Sequence, residues 1–194
     1  GVLEKMMFYL VIIHNGILME IVQLKREDAL EIAAVHIRSF PGFFLTDLGK
    51  DVLHVFYEVL ILEESTIVWG VKMDNELVGF FVSSTEPIGL YPRIFKKYFL
   101  KFLMPLTFSF LKNINLFGRM ITSIVSTKSF EVSHAYSASL LSICVSPAYA
   151  GKGIGKILLS TLEKELLLCK HHGYYLTTDA NNNNATNQFY LNFG

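Results

Sequence analysis

The alternation of apolar and polar residues predicts short strands in the first half of the chain. Glu20–Leu24 reads as a strand, and so do residues 66–71 and 77–83. The dipeptide Asp74-Asn75 lies between the last two of these strands, and both residue types tolerate the positive φ angles of a tight turn. The pattern therefore predicts a β-hairpin in this region.

Two further segments have the apolar spacing of amphipathic helices. Glu27–Phe40 and Asp47–Leu62 carry apolar residues three and four positions apart. Pro41 directly follows the first segment, and the residue before a proline disfavours helical geometry. Because no internal repeat and no Pro- or Ser-rich linker interrupts the chain, the pattern favours one α/β domain.

The most informative pattern is a strand, a glycine-spaced turn and a helix in direct succession. An apolar strand covers Ser139–Val145, and glycines stand at positions 151, 153 and 155. The first N–H groups of a helix have no partner within it, and the helix dipole is positive there. We therefore expect the turn to bind the phosphate groups of a cofactor. The apolar residues of the helix lie three and four positions apart: Ile154, Leu158, Leu162, Leu166 and Cys169.

The glycine spacing excludes two common phosphate loops. A Walker A loop has Ser or Thr after Gly-Lys and a glycine five residues before, whereas Ile157 and Ala150 stand at those positions here. A dinucleotide-binding fingerprint requires a third glycine, and Lys156 or Leu158 takes that place. The remaining alternative to a phosphate loop is a glycine turn that only connects the strand to the helix.

The loop resembles the acyl-CoA loop of the GNAT N-acetyltransferase superfamily, Val-x-Pro-x-x-(Arg/Gln)-x-x-Gly-x-(Gly/Ala). Val145, Pro147, Gly153 and Gly155 match this pattern in register. Ala150 departs from it, because the family has Arg or Gln there. The departure removes one side-chain contact and leaves the backbone N–H groups of the loop in place.

A second motif near the C-terminus is similar to the GNAT signature Asn-x-x-Ala-x-x-Phe-Tyr-x-x-x-Gly. Asn183, Phe189, Tyr190 and Gly194 match it, and Thr186 replaces the small alanine. The asparagine run could be a low-complexity loop. We interpret it as the start of a helix, because asparagine side chains cap free N–H groups.

The resemblance covers Met19–Gly194 and implies an α/β (α+β) fold with a mixed, mostly antiparallel sheet flanked by helices. It places a helical insertion at about residues 87–130, before the cofactor strand. Residues 1–18 lie outside the resemblance, and our hypothesis is that they are an upstream or cloning extension. The family continues with further strands beyond Gly194, so a second hypothesis is a C-terminally truncated acetyltransferase.

The resemblance also implies direct transfer of an acetyl group from acetyl-CoA to a primary amine of a small molecule. The backbone of Ile143 and Val145 would pair with the pantetheine arm, and the N–H groups of residues 151–156 would hold the pyrophosphate. The cofactor-binding residues assigned in this way are Ile143, Cys144, Val145, Ala150, Gly151, Lys152, Gly153, Ile154, Gly155, Lys156 and Asn183.

Tyr190 is the candidate general acid for the departing thiolate, because a phenol with a pKa near 10 stays protonated at neutral pH. The alternative is an aromatic residue that only packs in the core. The strand Ser139–Val145 has no carboxylate that could serve as general base. Asp47, Glu131 and His134 stay open as candidates, and no base is assigned.

Composition excludes other classes of protein. The 194 residues carry a net charge of zero, which argues against nucleic-acid binding. Cys144 and Cys169 have neither disulfide nor metal-site spacing, so no metal and a cytoplasmic location are expected. We interpret Cys144 as a core residue, and His36 and His54 as partly buried or surface residues of the predicted helices.

The insertion has an unusual charge pattern. Between Pro87 and Phe130 there are seven basic residues and no Asp or Glu. Arg93, Lys97 and Lys101 repeat every four residues opposite aromatic side chains, and Pro105 is expected to end or kink this helix. The preferred interpretation is a helix packed on the protein's own core, and a weak contact with a membrane surface is the alternative.

Two alternatives to a small-molecule acetyltransferase stay open. One is an enzyme that acetylates protein N-termini or lysines, for which a peptide acceptor would need an open groove. The other is a non-catalytic CoA-binding or membrane-peripheral module. The apolar runs of the chain are too short for a transmembrane helix.

Overall fold

The computed structural model describes residues 10–14, 17–112, 115, 137–178 and 184–193 of the chain. The strands are β1 (Leu10–His14), β2 (Ile17–Gln23), β3 (Thr66–Met73), β4 (Glu76–Ser84), β5 (Ala138–Val145) and β6 (Tyr174–Leu176). The helices are α1 (Ala29–Ser39), α2 (Phe44–Asp47), α3 (Lys50–Ile61), α4 (Leu90–Lys97), α5 (Phe99–Lys112), α6 (Ile154–Leu168) and α7 (Asn184–Phe193).

The described strands form one six-stranded sheet in the order β1-β2-β3-β4-β5-β6. The strands from β1 to β5 pair antiparallel with their neighbours, and β6 pairs parallel with β5. This arrangement confirms the mixed, mostly antiparallel sheet. The predicted hairpin is also present, because Asp74 and Asn75 adopt φ angles of 49° and 67° between β3 and β4.

The sheet starts earlier than the predicted first strand. β2 begins at Ile17, and β1 pairs with it, so that Leu10 lies opposite Ile21 and His14 opposite Ile17. The expectation that the sheet begins at Glu20 is therefore wrong. Residues 10–14 belong to the segment 1–18 that the sequence analysis set apart, and their apolar character suits a strand.

Helices cover both faces of the sheet. We call the side covered by α1 and α3 the α1 face, and the side covered by α6 and α7 the α6 face. Because side chains alternate along a strand, Phe80 is buried on the α1 face and its neighbour Phe81 on the α6 face. Tyr57 of α3 and Leu158 of α6 are likewise fully buried on the respective sides.

The predicted helix Asp47–Leu62 is interrupted near its start. The short α2 ends at Asp47, and α3 begins at Lys50. Gly49 between them has a φ of 92°, an angle that glycine adopts at little cost and that a helix cannot contain. The chain therefore turns at Gly49 before α3 begins.

The described part of the insertion contains the helices α4 and α5, which meet at Tyr98. Of the two expectations for Pro105, an end of the helix is wrong, because α5 continues through it to Lys112, and a kink stays a prediction. Two of the basic residues turn towards α3 and the residues that follow it: the Lys101 ammonium lies 2.8 Å from Glu58, and the Lys97 ammonium 3.2 Å from Glu63. The described part of the insertion thus packs on the protein's own core, and residues 113–114 and 116–130 lie outside the described residues.

Candidate functional site

The cofactor strand β5 has an open edge over its second half. β6 pairs only with residues 138–140, so no described strand adjoins residues 142–145 on that side. On the other side, β4 pairs with β5 along its whole length, with a shift of register between Val82 and Ser83. Leu141 is the extra residue at this bulge. The bulge lies next to the point where β6 stops pairing, so β5 diverges from β6 there and stays paired with β4.

Hydrogen bonding at the end of β5 shows which backbone groups face the open edge. The Ser146 N–H donates to the Val78 carbonyl of β4 at 2.7 Å. The Val145 carbonyl belongs to the same peptide unit and points the opposite way, away from β4. Because backbone groups alternate along a strand, Val145 and Ile143 both turn their N–H and C=O towards the open edge. The Ser39 hydroxyl of α1 donates to the Val145 carbonyl at 3.3 Å.

A row of free backbone N–H groups follows β5. Among the described residues, the N–H groups from Gly151 to Lys156 donate to no acceptor, and the first helical bond of α6 runs from the Ile157 N–H to the Gly153 carbonyl. Gly151 and Gly153 have φ angles of 75° and 79°, which turn successive N–H groups into one concave surface. This surface, together with the positive end of α6, suits an anion.

The residues of this loop are not equivalent. The Ala150 N–H is already bonded to the Pro147 carbonyl at 3.2 Å, so this residue offers no free donor. Lys152 and Lys156 are exposed and have no carboxylate partner among the described residues. The Lys152 ammonium lies 4.7 Å from the centre of the Tyr149 ring. Both lysines add positive charge beside the free N–H groups.

Close packing on β4 holds the start of α6 in place. A Cβ atom at Gly79 would lie 3.0 Å from the Cys144 carbonyl and 3.3 Å from both Ile154 and Leu158. Only glycine leaves room there for the first turn of α6. The position of the N–H groups relative to the open edge of β5 therefore depends on Gly79.

Gly155 also has a packing role, in addition to the cofactor-binding role predicted from the sequence. A Cβ atom at this position would lie 3.0 Å from the tip of the Phe189 ring, which belongs to α7. The absence of a side chain thus lets α7 approach the start of α6. Phe189 and Gly155 lie far apart in the sequence, and the motif spacing alone does not reveal this contact.

Comparisons with known proteins decide the family. The model of the acetyltransferase (GNAT) family matches residues 29–194. The chain belongs to the GNAT acetyltransferase family. It is therefore an enzyme of the acyltransferase class, and the expected resemblance is confirmed. No curated protein matches the sequence significantly.

Solved structures share the GNAT fold at low sequence identity. The aminoglycoside N-acetyltransferase AAC(6')-Iy in complex with CoA has a TM-score of 0.62 and 12% identity, over 94% of this chain and 91% of that chain. AAC(6')-Ih from Acinetobacter baumannii has a TM-score of 0.57 and 13% identity, over 91% and 89%. The ribosomal-protein-alanine N-acetyltransferase from Brucella melitensis has a TM-score of 0.51 and 15% identity, over 89% of each chain.

Tyr190 of this GNAT domain lies half-buried on the α6 face. It belongs to the same apolar cluster as Ile143, Val145 and Phe189. Burial raises the pKa of Tyr190 above its ordinary value, so its hydroxyl keeps its proton at neutral pH. Tyr174 is a close neighbour, and burial together with the charges of Glu163 and Tyr190 raises its pKa to about 12. Asn183 lies outside the described residues, as do Glu131 and His134.

A buried polar pair on the α1 face was not foreseen. The His36 Nδ1 lies 2.6 Å from the Tyr57 hydroxyl, and His36 is 5% exposed. Burial lowers the pKa of His36 to about 4, so the ring is neutral at pH 7. Cys144 also faces this side, and burial raises the pKa of its thiol to about 12, which suits a core residue. The sequence gives no local signal for the pairing.

Two other features of the described residues lie apart from the open edge. A cleft of about 360 Å3 lies between α1 and the β3–β4 turn, with Glu31, Arg38 and Glu76 among its lining residues. None of the residues of the open edge or of the glycine loop lines it. No group of three or more His, Cys, Asp or Glu side chains in the described ranges could hold a metal ion.

Proposed function

We propose that this GNAT enzyme transfers an acetyl group from acetyl-CoA directly to a primary amine of a small-molecule acceptor. The observation that carries the proposal is the open edge of β5 leading directly to the free N–H groups at the start of α6. An extended chain with amide groups at one end and a pyrophosphate at the other fits this combination. The neighbouring structures that hold CoA support the choice of co-substrate.

Each part of the site has a role in binding. The free N–H groups of Ile143 and Val145 and the C=O of Ile143 pair with the amides of the pantetheine arm, which adds to the sheet like a further strand, while the Val145 C=O already accepts from the Ser39 hydroxyl. The N–H groups from Gly151 to Lys156 receive the pyrophosphate, and Lys152 and Lys156 add charge. Ala150 contributes shape only, because its N–H is bonded within the loop.

The transfer step needs a nucleophile and a proton for the leaving group. The lone pair of the neutral amine attacks the carbonyl carbon of the thioester, so that the C–N bond forms and the C–S bond breaks. Tyr190 donates its hydroxyl proton to the departing thiolate. The amine loses a proton to solvent, and Tyr190 regains one from solvent, so no net proton is taken from the enzyme.

The insertion favours a small acceptor over a peptide. Tyr91 of α4 is half-buried, lies with its ring 6.2 Å from that of Phe56, and has its pKa raised to about 12 by burial and by the neighbouring Tyr175 of β6. The insertion thus reaches from α3 to β6 across the α1 face. A peptide acceptor needs a groove that is open at both ends. The aromatic side chains on this side of the sheet are less compatible with such a groove.

Aminoglycosides are the first acceptors to test. The structures of AAC(6')-Iy and AAC(6')-Ih belong to enzymes that acetylate these amines. The alternative acceptor is a protein N-terminus, because the ribosomal-protein-alanine N-acetyltransferase also shares the fold. The cytoplasmic location and the absence of a nucleic-acid partner stay predictions.

Calorimetric titration with acetyl-CoA tests the site directly. We expect micromolar binding to the full chain, much weaker binding of acetyl-pantetheine, which lacks the pyrophosphate, and none of adenosine. Gly153→Ala should weaken acetyl-CoA binding about tenfold, because alanine disfavours the φ of 79° that orients the N–H groups.

Gly89→Ala is the matched control for this titration. Gly89 precedes α4 as Gly153 precedes α6, has a φ of 69°, and likewise has nothing within 4 Å of an added Cβ. The Gly89→Ala variant should lose about as much stability as Gly153→Ala and should keep the wild-type affinity for acetyl-CoA. Equal affinities of Gly153→Ala and the wild type, or equal binding of acetyl-pantetheine and acetyl-CoA, would contradict the proposed pyrophosphate site.

A further inference from the structure

One side of α5 is a continuous apolar surface that faces away from the protein. Its members recur one, three or four positions apart along the helix, so they fall on one side of it. Leu100, Met104 and Leu111 are 81%, 69% and 83% exposed. We call this surface the α5 stripe, and it consists of Phe99, Leu100, Leu103, Met104, Phe108 and Leu111.

The opposite side of α5 is already occupied. Phe102 is buried and its ring lies 4.7 Å from that of Phe95, which anchors α5 to α4. Lys101 pairs with Glu58 of α3, and both carboxylates that face the insertion, Glu58 and Glu63, have side chains only 10% exposed. The inward charges are therefore neutralised by the protein itself, and the contacts that hold α5 lie on the side opposite the α5 stripe.

The charged residues of α4 and α5 are all basic. Lys96, three residues before Phe99, and Lys112, directly after Leu111, are exposed and have no carboxylate partner among the described residues. No Asp or Glu occurs between Pro87 and Phe130. Successive residues of a helix lie about 100° apart around its axis. Lys112, four residues after Phe108, is therefore next to Phe108 at the border of the stripe. The two helices thus combine the apolar stripe with unpaired lysines and carry no carboxylate of their own.

We infer that the α5 stripe rests on an anionic lipid surface, with the helix lying in the plane of the membrane interface. Charge complementarity favours a lipid surface as the partner of the stripe. Apolar side chains with free lysines near them, and no carboxylate in the same two helices, match a layer of negative headgroups above an apolar interior. A helix of 14 residues is about 21 Å long, too short to cross a bilayer. None of the helices in the described part of the chain is long and apolar enough to do so.

This inference is independent of the proposed acetyl transfer. It assigns a location to the enzyme, at the surface of an anionic membrane, and it orients α4 and α5 towards that surface. Leu and Phe side chains provide the apolar part of the binding, and the lysines make it depend on the headgroup and on salt.

Flotation of the full 194-residue chain with vesicles tests the inference. Vesicles of phosphatidylcholine and phosphatidylserine in equal amounts should carry the protein at low salt, and vesicles of phosphatidylcholine alone should carry much less. Leu100→Glu combined with Leu111→Glu should reduce the bound fraction more than about tenfold, because it places two charges in the centre of the stripe. Lys96→Gln and Lys112→Gln should each reduce it about fivefold, on anionic vesicles only.

The control is Leu168→Glu, at an apolar residue that is 68% exposed at the end of α6. It should bind vesicles as the wild type does, and circular dichroism should show that all variants stay folded. Failure of the wild type to float with anionic vesicles would overturn the inference. So would equal flotation of the Leu100 and Leu111 double variant. If that variant instead changes a lipid-free oligomer into a monomer, the stripe is an interface with a second copy and the inference is also overturned.

Discussion

His36 shows how burial alone sets the charge of a side chain at physiological pH. The imidazole lies between the Phe40 ring, 4.8 Å away, and Tyr57, and no carboxylate is among its contacts in the described residues. Burial penalises only the protonated form, so the pKa falls to about 4. A neutral His36 can accept or donate one hydrogen bond with Tyr57 without the cost of a buried charge.

The first prediction concerns the pH dependence of stability. The pKa of His36 is about 4 in the folded chain and near 6.5 when unfolded, so below pH 6.5 the unfolded state gains a proton that the folded state does not. Stability should therefore fall by about 2 to 3 kcal/mol between pH 7 and pH 4.5 on account of this residue. His36→Gln, which keeps a partner for Tyr57, should remove that part of the decline.

Urea unfolding at a series of pH values measures the effect. The control is His172→Gln, because His172 is exposed after α6. The two variants should have clearly different slopes of unfolding free energy against pH. If they have the same slope, His36 takes up its proton in the folded state and the prediction fails.

The second prediction concerns Tyr190. Its hydroxyl is protonated at neutral pH, and replacement by Phe removes the proton donor while keeping the ring that packs with Phe189. Tyr190→Phe should lower kcat about 100-fold and leave acetyl-CoA affinity within about twofold, as expected for loss of a general acid. Thiol release from acetyl-CoA, with aminoglycosides as acceptors, gives kcat, and calorimetry gives the affinity.

Tyr174→Phe serves as the control for Tyr190. Tyr174 belongs to the same cluster and also keeps its proton, but it lies at the start of β6, where the strand pairs with Ala138. It should keep its kcat. An unchanged kcat in Tyr190→Phe would make Tyr190 a packing residue only.

At the scale of elements, α6 and α7 meet where the site requires them to be close. Gly155 and Phe189 form this contact, and an added methyl group would approach the ring to 3.0 Å. Gly155→Ala brings two opposing effects, because alanine favours the helix while its Cβ displaces the ring. Whether Gly155→Ala stabilises or destabilises the protein therefore depends on the size of the side chain at position 189.

A double-mutant cycle separates these effects. Gly155→Ala should destabilise the wild type by about 1 kcal/mol and should stabilise the Phe189→Leu variant, in which the smaller side chain leaves room. The free energy of unfolding in urea gives all four corners of the cycle. An effect of the same sign and size in both backgrounds would show that α7 does not press on Gly155.

Elements whose signal is local could be predicted from the sequence. Asp74-Asn75 marks the hairpin because its own residues adopt the positive φ angles of the turn. The helix after Gly153 was predicted from its apolar spacing, and it ends at Leu168, so Cys169 is exposed just beyond it. The glycine loop belongs to the same class, since its N–H groups are free as a consequence of where α6 begins.

Elements that depend on distant contacts were missed. The break between α4 and α5 at Tyr98 lies between two ion pairs with distant residues, Lys97 with Glu63 and Lys101 with Glu58, which local propensity does not contain. The strand β1 exists because β2 offers it an edge. In the site, the contact of Gly155 with Phe189 and the pair of His36 with Tyr57 join different elements, so no local pattern reveals them.

At the scale of the whole molecule, the sheet has a short pairing between β5 and β6 that separates it into two parts. Four antiparallel strands precede β5, whereas β6 is attached to it through only three residue pairs. Among the described residues, α6, the contact of α7 with Gly155, the bond between Ser137 and His171 and the neighbouring Tyr91 and Tyr175 add to these pairs. A ligand that occupies the open edge of β5 would therefore join two parts of the fold that the chain itself joins weakly.

The last prediction follows from this division. Acetyl-CoA at 100 times its Kd should raise the free energy of unfolding by about 2.7 kcal/mol, by mass action. Hydrogen exchange should slow most at the N–H groups of Ile143 and Val145 and in residues 151–156, because these are the free donors that the ligand would engage. The centre of β3, already paired on both sides, should change little. Uniform protection of the whole sheet, without a maximum at β5 and the glycine loop, would place the ligand elsewhere, and protection confined to the loop would mean that only the pyrophosphate is bound.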